Sequence, residues 1–545
     1  MNKFLPLALL LLAIAGCTHK NFNADILVEN AVVYTVDSAF STADAFVVKG
    51  GKIVAVGKGD TLEQKYNARH VIDAEGKPVY PGFIDAHAHF LEYGMSLQEA
   101  RLENTRSWQE VLDSVNSFAR KNPEGWITGH GWDQNKWAVK QFPDKAKLDS
   151  MFPVRPVVLS RIDGHAAIAN QAALNIAGIK PGQTITGGTI ETVNGKLTGV
   201  LVDNAKSLVQ RKIPAPTDDL IQTALLDAQH NCFAVGLTTV EDCGLPYTLV
   251  NTIAQLQHKG DLKIRLYVML SDTPDDFTYL FKRGVYKTPG LDVRAIKMYA
   301  DGALGSRGAC LLQPYSDQKN WRGFLLSSQK HFQDVAEKVF AKGFQLCTHA
   351  IGDSANRVIL KVYASVLKGK NDRRWRIEHA QVLAPEDVKL FGEYSIIPSV
   401  QPTHATSDMY WAGDRLGSAR LKSSYIYKQL LEQNGWLPLG TDFPVENINP
   451  IYTFYAAVER RDLKNYPPAG FQMENALTRE QALRGMTIWA AKANFEEKEK
   501  GSIEPGKYAD FVILNNDIMK ADGATLPQVK VLMTYVNGEQ VYAKK

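Results

Sequence analysis

Cysteine is scarce in this sequence, and its scarcity excludes one class of protein. Only 5 of the 545 residues are cysteine, and none are spaced as C-x-x-C. A disulfide scaffold or a cysteine zinc site is therefore not expected. The cysteines beyond the N-terminal region lie in or beside apolar stretches, which predicts buried free thiols, although a bridge between the first two stays open. They are Cys232, Cys243, Cys310 and Cys347.

Long blocks of like charge are also missing. The chain has 62 lysines and arginines against 58 aspartates and glutamates, interspersed along its length. This balance gives no indication of nucleic-acid binding. A short charged run from Glu496 to Lys500 is expected to be solvated helix surface. Because 45% of the residues are hydrophobic, a chain of this length should bury a large core.

The start of the chain lacks an apolar run long enough to span a bilayer. The segment "MNKFLPLALLLLAIAGC" has a cationic beginning, an apolar stretch well short of ~20 residues, and small residues before Cys17. This pattern predicts an export signal over residues 1–16. The motif "IAGC" resembles a bacterial lipobox, which implies that Cys17 is lipidated; an ordinary signal peptide with a chance cysteine is the alternative. We expect a protein of the bacterial cell envelope, anchored to a membrane through Cys17 and facing the periplasm.

Both ends of the mature chain alternate apolar and polar residues. Residues 24–80 contain "ADILVENAVVYTVD" and "AFVVKGGKIVAVG", and residues 496–545 contain "YADFVILNND" and "VLMTYVNGEQVYA". Alternation around glycine-containing turns is typical of antiparallel hairpins. Because a single hairpin cannot bury a face by itself, we expect the two ends to form one small β-sandwich.

Residues 81–495 alternate short apolar strands with helical stretches, which is typical of β/α units on a parallel sheet. Candidate strands lie in "GFIDAHAHF", "GLTTVED", "KIRLYVML", "VRAIKMYADG", "GFQLCTHAIGD", "RWRIEHAQV", "YSIIPSVQPTH" and "LPLGTDFPV". These eight segments predict an α/β protein with a (β/α)8 TIM-like barrel. A large insertion after strand 1, over about residues 95–230, should cap the barrel mouth. Its tryptophans Trp126, Trp132 and Trp137 either line that mouth or, more simply, pack the cap.

Strand 1 ends with two histidines one residue apart. In "VYPGFIDAHAHF", His87 and His89 point to the same face, because side chains alternate along a strand. Two imidazoles on one face can hold a zinc-like metal ion between them. Two histidines packed at a strand end are the alternative interpretation.

Further polar residues follow apolar runs at the ends of other candidate strands. They are Lys297 on strand 4, His349 on strand 5, His379 on strand 6 and Asp442 on strand 8. In a barrel of this kind the active site lies at the C-terminal ends of the strands. Lone charges in such apolar surroundings would be costly. Together with the two histidines of strand 1, these residues therefore predict a metal site.

Seven motifs, spread over nearly the whole mature chain, are specific in combination. They are "PGFIDAHAHF", "KMYADGALGSRGA", "THAIGDSAN", "RIEHAQ", "QPTH", "GTDFP" and the closing "KGSIEPGKYADFVIL". In these motifs the chain resembles the amidohydrolase superfamily and, within it, the YtcJ-like (amidohydrolase 3) branch. The resemblance implies a hydrolase that uses one or two divalent metal ions, with zinc as the expected metal.

The resemblance also implies a ligand set and a catalytic base. The implied metal ligands are His87, His89, His349, His379 and Asp442. Lys297 would bridge two ions as a carbamate, since carbon dioxide turns its cationic amine into an anionic oxygen ligand; an unmodified lysine beside one ion is the alternative. Asp442 would also take a proton from the activated water and deliver it to a leaving amine.

Five further residues are candidates for contact with the substrate: two in "RIDGH" of the insertion, two after strand 4 and one in "QPTH". They are Asp163, His165, Asp301, Arg307 and His404. Their motifs give location and not contact, so structural roles are equally expected.

The expected activity is hydrolysis of a non-peptide C–N bond in a small molecule, such as an N-acyl or N-formyl amide. Ester or lactone hydrolysis is an alternative, because this metal centre does not itself choose the leaving group. A solute-binding lipoprotein without turnover is a third interpretation. The intact Asp442 argues against it, since losing the base would be the easiest way to lose catalysis.

Overall fold

The computed structural model describes residues 23–544. The predicted signal peptide and Cys17 lie outside the described residues. The described chain builds three parts, which are a parallel barrel, a β-sandwich and a cap over the barrel mouth. Within residues 23–544, no helix combines the length and the apolar character that crossing a membrane requires.

The barrel consists of parallel strands in chain order, surrounded by helices. Its seven paired strands are Phe83–Ala88, Leu237–Leu245, Arg265–Ser271, Leu291–Tyr299, Gln345–Ala350, Arg376–His379 and Ile397–Ser399, here called barrel strands 1 to 7. A short strand, Tyr286–Lys287, pairs with barrel strand 4. The helices around it are Phe90–Ser96, Asp218–Ala234, Val250–Lys259, Pro274–Arg283, Gln329–Lys342, Asp353–Leu367, Lys389–Glu393, Pro402–Asp408, Ala412–Leu421, Tyr427–Asn434, Pro450–Glu459, Arg479–Gly485 and Ile488–Ala493.

The eighth predicted strand closes the barrel without forming a regular strand. The Leu439 carbonyl accepts a hydrogen bond from the Ala86 N–H at 3.2 Å, while Leu439 forms an isolated parallel bridge with Val400 of the segment after barrel strand 7. The Asp442 N–H then donates to the His87 carbonyl at 2.7 Å. The expected α/β fold with a TIM-like barrel is confirmed, with seven regular strands and this closing segment.

The helix Gln329–Lys342 and barrel strand 5 show how the sequence specifies one β/α unit of the barrel. The side chain of Ser328 accepts a hydrogen bond from a backbone N–H of the first turn and so caps the helix Gln329–Lys342. The helix buries Phe332, Val335, Ala336 and Val339, which share one face at helical spacing. It ends at Gly343, whose φ of 78° favours glycine. The next strand is buried on both faces, as a parallel strand between helices should be.

The sandwich combines both ends of the described chain. One sheet contains Lys52–Gly57, Ala45–Lys49, Ala24–Glu29 and Ala68–Asp73, and the other contains Glu539–Ala543, Val531–Val536, Phe511–Leu514, Pro78–Pro81, Val32–Tyr34 and Thr42–Ala43. The two sheets meet where the rings of Phe46 and Phe511 pack edge to face at 5.0 Å. One short helix, Gly59–Lys65, covers the first sheet.

The cap forms its own sheet and its own core. Its strands, in spatial order, are Gly188–Val193, Lys196–Asp203, Ala166–Ala169, Val157–Arg161, Ile127–Trp132 and Ala100–Arg101, and its helices are Trp108–Lys121, Ala146–Met151, Gln171–Ala177 and Lys206–Gln210. Trp132 and Trp137 lie 6.1 Å apart in the cap core. Trp126 packs against a second cap cluster. The tryptophans therefore pack the cap.

The charged run at Glu496 is not solvated helix surface, so that expectation is wrong for two of its residues. Glu496 and Lys500 are buried and lie in turns after the helix Ile488–Ala493. They form an ion pair at 2.8 Å, and Lys287 of the barrel lies 3.9 Å from Glu496. Burial is tolerated here because these cations neutralise the buried carboxylate.

The cysteines of the described chain are free thiols. Cys232, Cys243 and Cys347 are buried and Cys310 is half-buried, so no bridge joins Cys232 to Cys243. Burial raises the pKa of the three buried thiols well above its ordinary value. These groups therefore stay protonated and unreactive.

Candidate metal centre

The polar residues predicted at the strand ends meet at one mouth of the barrel. His89, Lys297, His349, His379 and Asp442 all line one cavity. His87 lies behind this wall and is fully buried, with its ring centroid 4.7 Å from that of His379. The rings of His349 and His379 are 4.6 Å apart. The structure thus brings all six predicted residues together.

Two groups of side chains at this mouth have the spacing of metal ligands. One contains His87, His89 and Asp442, and the other contains His379, His404 and Asp442, with the donor atoms of each group within 4.8 Å of one another. The Asp442 carboxylate is shared between the groups. His404 was expected only as a substrate contact, and sequence did not indicate its place beside Asp442.

Several buried polar atoms at the mouth have no hydrogen-bond partner among residues 23–544. They are His87 Nε2, Lys297 Nζ, His349 Nε2, His379 Nδ1 and Asp442 Oδ1. Buried polar atoms are almost always paired, because an unpaired one costs about 1–3 kcal/mol. Imidazole nitrogens and a carboxylate oxygen are the donors that zinc prefers. This set of atoms therefore fits a divalent cation.

Two of these residues hold unusual backbone conformations. His379 has a φ of 73° and Asp442 a φ of 64°, both in the left-handed region that non-glycine residues seldom occupy. Such strain persists only where surrounding contacts impose it, and it is frequent at functional sites. Both side chains line the cavity at the barrel mouth.

The Asp442 carboxylate is surrounded by histidines. Its Oδ2 lies 3.0 Å from His404 Nε2, and its Oδ1 lies 3.3 Å from His89 Nε2 and 3.5 Å from His87 Nε2. Burial alone would raise the pKa of Asp442, but the hydrogen bond with His404 and the close approach of His89 and His87 hold that pKa well below its ordinary value. Asp442 is therefore a carboxylate at neutral pH.

His87, His349 and His379 are neutral. Burial lowers the pKa of His87 to about 4 and that of His349 and His379 well below the ordinary value, with neighbouring cationic groups adding to the effect. Neutral imidazole is the form that coordinates metals. The outer His404 differs: burial opposes its charge, but Asp442 and Glu446 raise its pKa well above the ordinary value.

The cap supplies two of the predicted substrate contacts. Asp163 and His165 line the cavity, and the ring of His165 lies 5.1 Å from that of His349. His165 Nδ1 lies 2.6 Å from Asp203 Oδ1, and Asp163 Oδ2 accepts a hydrogen bond from Arg161 at 2.5 Å. Neither Asp203 nor Arg161 was predicted: Arg161 begins the stretch "RIDGH", but sequence gives no sign that it pairs with Asp163, and Asp203 lies outside the motifs.

The other two predicted contacts lie away from the cavity lining. Asp301 is buried, and its carboxylate accepts the backbone N–H groups of Ile351, Gly352 and Cys310 at 2.7–3.0 Å. Arg307 forms an ion pair with Asp317 at 2.8 Å. Asp301 thus has backbone partners after barrel strands 4 and 5 and lies 3.6 Å from His349 Nε2, while the partner of Arg307 lies in the loop after barrel strand 4. Neither residue lines the cavity.

A buried charged network lies beneath the histidines, and sequence analysis missed it. Glu378 and Arg376 alternate along barrel strand 6 and are fully buried, as is Glu241 of barrel strand 2. Glu378 Oε2 lies 2.6 Å from His87 Nδ1, and Arg376 pairs with Glu241. The signal was present in "RIEH", since two charged residues at alternate positions of a buried strand must face the barrel interior together.

A TIM-like barrel with histidines and a shared aspartate at the C-terminal ends of its strands defines the class of metal-dependent barrel hydrolases. The family model for amidohydrolase 3, described as "Amidohydrolase family", matches residues 70–542. The chain therefore belongs to the amidohydrolase family, whose members use a divalent metal. The resemblance seen in the sequence motifs is confirmed.

Similar proteins come from distant organisms. "Protein LONG AFTER FAR-RED 3" of Arabidopsis thaliana is 35% identical over 540 residues, which cover 95% of this chain and 92% of that protein. "N-substituted formamide deformylase" of Arthrobacter pascens is 28% identical over 560 residues, covering 95% and 98%. The crystal structure of an uncharacterized metal-dependent hydrolase from Pyrococcus horikoshii OT3 superposes with a TM-score of 0.74 at 25% identity and covers 91% of this chain and 99% of that one.

Proposed function

We propose that this protein is a metal-dependent hydrolase of non-peptide C–N bonds, acting on N-acyl or N-formyl amides of small molecules. The observation that carries the proposal is the convergence of unpartnered histidine, aspartate and lysine atoms at the barrel mouth. The similarity to an N-substituted formamide deformylase supports the choice of an amide as substrate.

The proposed ligands are the residues at the strand ends. They are His87, His89, His349, His379 and Asp442, together with Lys297 at the same mouth of the barrel. A bound zinc-like cation acidifies water and polarises a carbonyl group, which is the chemistry that amide hydrolysis needs. The protein holds the carbonyl and the water in a buried cavity, where polar interactions are stronger than in solution.

Lys297 is proposed to be carbamylated. Its Nζ is fully buried and has no hydrogen-bond partner among the described residues. In the modification, the ammonium first loses a proton, the neutral amine nitrogen attacks carbon dioxide to form the C–N bond, and a second proton leaves, so a cation becomes an anion with two oxygen donors. That change suits a position in the same cavity as histidines that would bind cations, and electron density at Lys297 is the direct test.

Asp442 is the proposed proton carrier. It is ionised, and His404 fixes one carboxylate oxygen from the side opposite to His87 and His89. The free lone pairs of the carboxylate accept a proton from water as the new C–O bond forms. Asp442 then returns that proton to the nitrogen as the C–N bond breaks, which releases the amine and the carboxylic acid.

Asp163, His165 and His404 are the proposed contacts with the substrate. All three line the cavity, and each is already oriented by another side chain: Asp163 by Arg161, His165 by Asp203 and His404 by Glu446. Pre-oriented groups lose little freedom when a substrate binds.

We propose further that Cys17 anchors the protein to a membrane of the bacterial cell envelope. The lipobox-like "IAGC" supports this. Cys17→Ser should leave the exported protein without acyl chains and in the soluble fraction. Fractionation and mass spectrometry check this, and wild-type protein without acyl chains would show that the cysteine is incidental.

The function is tested with the zinc-loaded protein and a panel of N-substituted formamides, N-acyl amino acids and matched esters. Amine release from an amide is expected, with zinc content measured on the same sample. His379→Ala is the paired variant, and it should lose both zinc and turnover. Stoichiometric zinc with no amine release from any amide would contradict the proposal, and turnover of esters alone would move it to ester hydrolysis.

A further inference from the structure

The carboxylate of Glu378 lies directly behind His87. Its Oε2 is 2.6 Å from His87 Nδ1, and both side chains are fully buried. The other ring nitrogen of His87, Nε2, faces Asp442 Oδ1 at 3.5 Å and has no hydrogen-bond partner within residues 23–544. One nitrogen of this ring is thus occupied by Glu378, and the other is directed at the barrel mouth.

Glu378 is itself fixed by Arg376. Its second oxygen, Oε1, lies 2.7 Å from Arg376 Nε. The same guanidinium donates to the Ala86 carbonyl and to Ser399 Oγ and pairs with Glu241. Arg376 therefore contacts barrel strands 1, 2, 6 and 7 at once, and Glu378 cannot turn away from His87 without breaking this network.

The arrangement decides which nitrogen of His87 carries the proton. A carboxylate can only accept, so His87 Nδ1 must be the N–H and Nε2 keeps its lone pair. Histidines that bind metals usually donate their second ring N–H to such a carboxylate or carbonyl, and the loss of that partner costs about 10–100-fold in metal affinity.

We propose that Glu378 is the positioning residue of the metal centre: it fixes the tautomer and the ring plane of His87 so that Nε2 is presented as a ligand. The inference rests on the proposed function, since it assigns His87 to the metal. Glu378 touches neither substrate nor water and acts only through His87.

A purely structural role would make Glu378 the counter-ion of Arg376. Two observations favour positioning. Arg376 already has a buried carboxyl partner in Glu241, and Glu378 Oε2, which accepts a hydrogen bond from Arg376 Nη2 at 3.2 Å, makes its shorter contact of 2.6 Å with His87 Nδ1. The two glutamates are thus alike in burial and in their arginine partner, and they differ in contact with a proposed ligand.

That difference supplies a matched pair of variants, Glu378→Gln and Glu241→Gln. Each keeps the size of the side chain and replaces a buried carboxyl group beside Arg376 with a neutral amide. In Glu378→Gln, the introduced amide can turn its NH₂ towards His87 and favour the wrong tautomer. We expect the zinc dissociation constant, measured by chelator competition, to rise about 10–100-fold for Glu378→Gln and to change less than about threefold for Glu241→Gln.

The visible spectrum of the cobalt(II)-substituted protein is the second readout, since it reports ligand geometry rather than stability. Its bands should change for Glu378→Gln alone, while thermal unfolding of the metal-free proteins shows how much each variant destabilises the barrel. Equal zinc affinities and equal cobalt spectra in the two variants would overturn the positioning role.

The experiments distinguish failure of the positioning role of Glu378 from failure of the proposed function. Wild-type protein that binds zinc and hydrolyses no amide would overturn the function while the comparison of the two variants still decides the role of Glu378. Wild-type protein that binds no zinc would overturn both.

Discussion

At the scale of single residues, Asp442 combines the properties that the proposed chemistry requires. It is ionised, it is contacted by histidines from two segments, and its strained backbone conformation projects it into the mouth. Sequence alone located Asp442 because "GTDFP" follows an apolar run. Its link to His404 came only from the fold, because the two residues lie 38 positions apart.

Asp442→Asn tests the proton-carrier role. The substitution keeps the size of the side chain and one oxygen donor but removes the basic charge. Zinc should stay largely bound while kcat falls about 10²–10⁴-fold, or about 3–5 kcal/mol of barrier at 1.36 kcal/mol per tenfold. Zinc stoichiometry measured beside kcat separates the roles. Parallel loss of zinc and activity, restored by excess zinc, would instead identify Asp442 as a ligand without a proton-transfer role.

A carboxyl group outside the metal centre gives a pH prediction. Burial raises the pKa of Glu99 to about 7 from its ordinary value of 4.5, and a hydrogen bond with Thr128 offsets this only in part. The folded state therefore binds a proton that the unfolded chain has released between about pH 4.5 and pH 7, so this group makes stability fall as pH rises through that window.

Glu99→Gln should remove that dependence, because the amide is neutral at every pH. We expect the variant to gain Tm relative to wild type at pH 8 and to gain little or nothing at pH 5. Thermal scans at both pH values check this, with Asp113→Asn on the exposed face of a cap helix as the control. A gain of equal size at both pH values would show that titration of Glu99 does not contribute.

At the scale of elements, the barrel strands were predictable, whereas the pairing partners of the charged residues beneath the mouth were not. Apolar runs that end in histidine, lysine or aspartate identify strands and mouth together, because parallel strands place all their C-terminal ends on one side. The network of Glu378, Arg376 and Glu241 depends on which strands become neighbours across the barrel. A linear pattern holds no record of such neighbours, so pairing partners could be found only in three dimensions.

Gly440 lies in the segment that closes the barrel, where the backbone of barrel strand 1 leaves no room for a side chain. A Cβ on residue 440 would lie 2.5 Å from the His87 backbone nitrogen and 2.8 Å from the His87 Cβ. Gly440→Ala should therefore push the segment away from barrel strand 1 and displace both His87 and Asp442. We expect a lower Tm by the equivalent of about 1–3 kcal/mol together with weaker zinc binding.

Gly413→Ala is the control for this prediction. A Cβ there would make an ordinary contact at 3.7 Å with Leu421, and the residue lies in a helix where alanine is favoured. Calorimetry and metal analysis of both variants check the pair. Wild-type Tm and full zinc content in Gly440→Ala would show that the closing segment shifts without loss of stability or of zinc binding.

At the scale of the whole molecule, the sandwich and the barrel are joined by the chain and by a buried ion pair. Pro78–Pro81 pairs with Phe511–Leu514 in the sandwich, and barrel strand 1 begins two residues later at Phe83. Asp510, at the start of the C-terminal strand, forms a buried ion pair with Arg265 of barrel strand 3 at 2.6 Å. The alternation at both ends of the sequence predicted the shared sandwich, but not this ion pair with the barrel.

Truncation after residue 500 should consequently destabilise more than the part that is removed. It deletes three strands and leaves one edge of Pro78–Pro81 without a partner. It also removes Asp510, the buried carboxylate that pairs with Arg265. Loss of one partner of a buried ion pair typically costs about 3–5 kcal/mol. The N-terminal strands should then become sensitive to protease, with cleavage within residues 24–80.

Truncation after residue 538 is the control, because it removes only the edge strand Glu539–Ala543 and leaves Asp510 in place. Thermal unfolding and limited proteolysis distinguish the two, and wild-type protease resistance in the longer deletion would show that the N-terminal strands stand without their C-terminal partners.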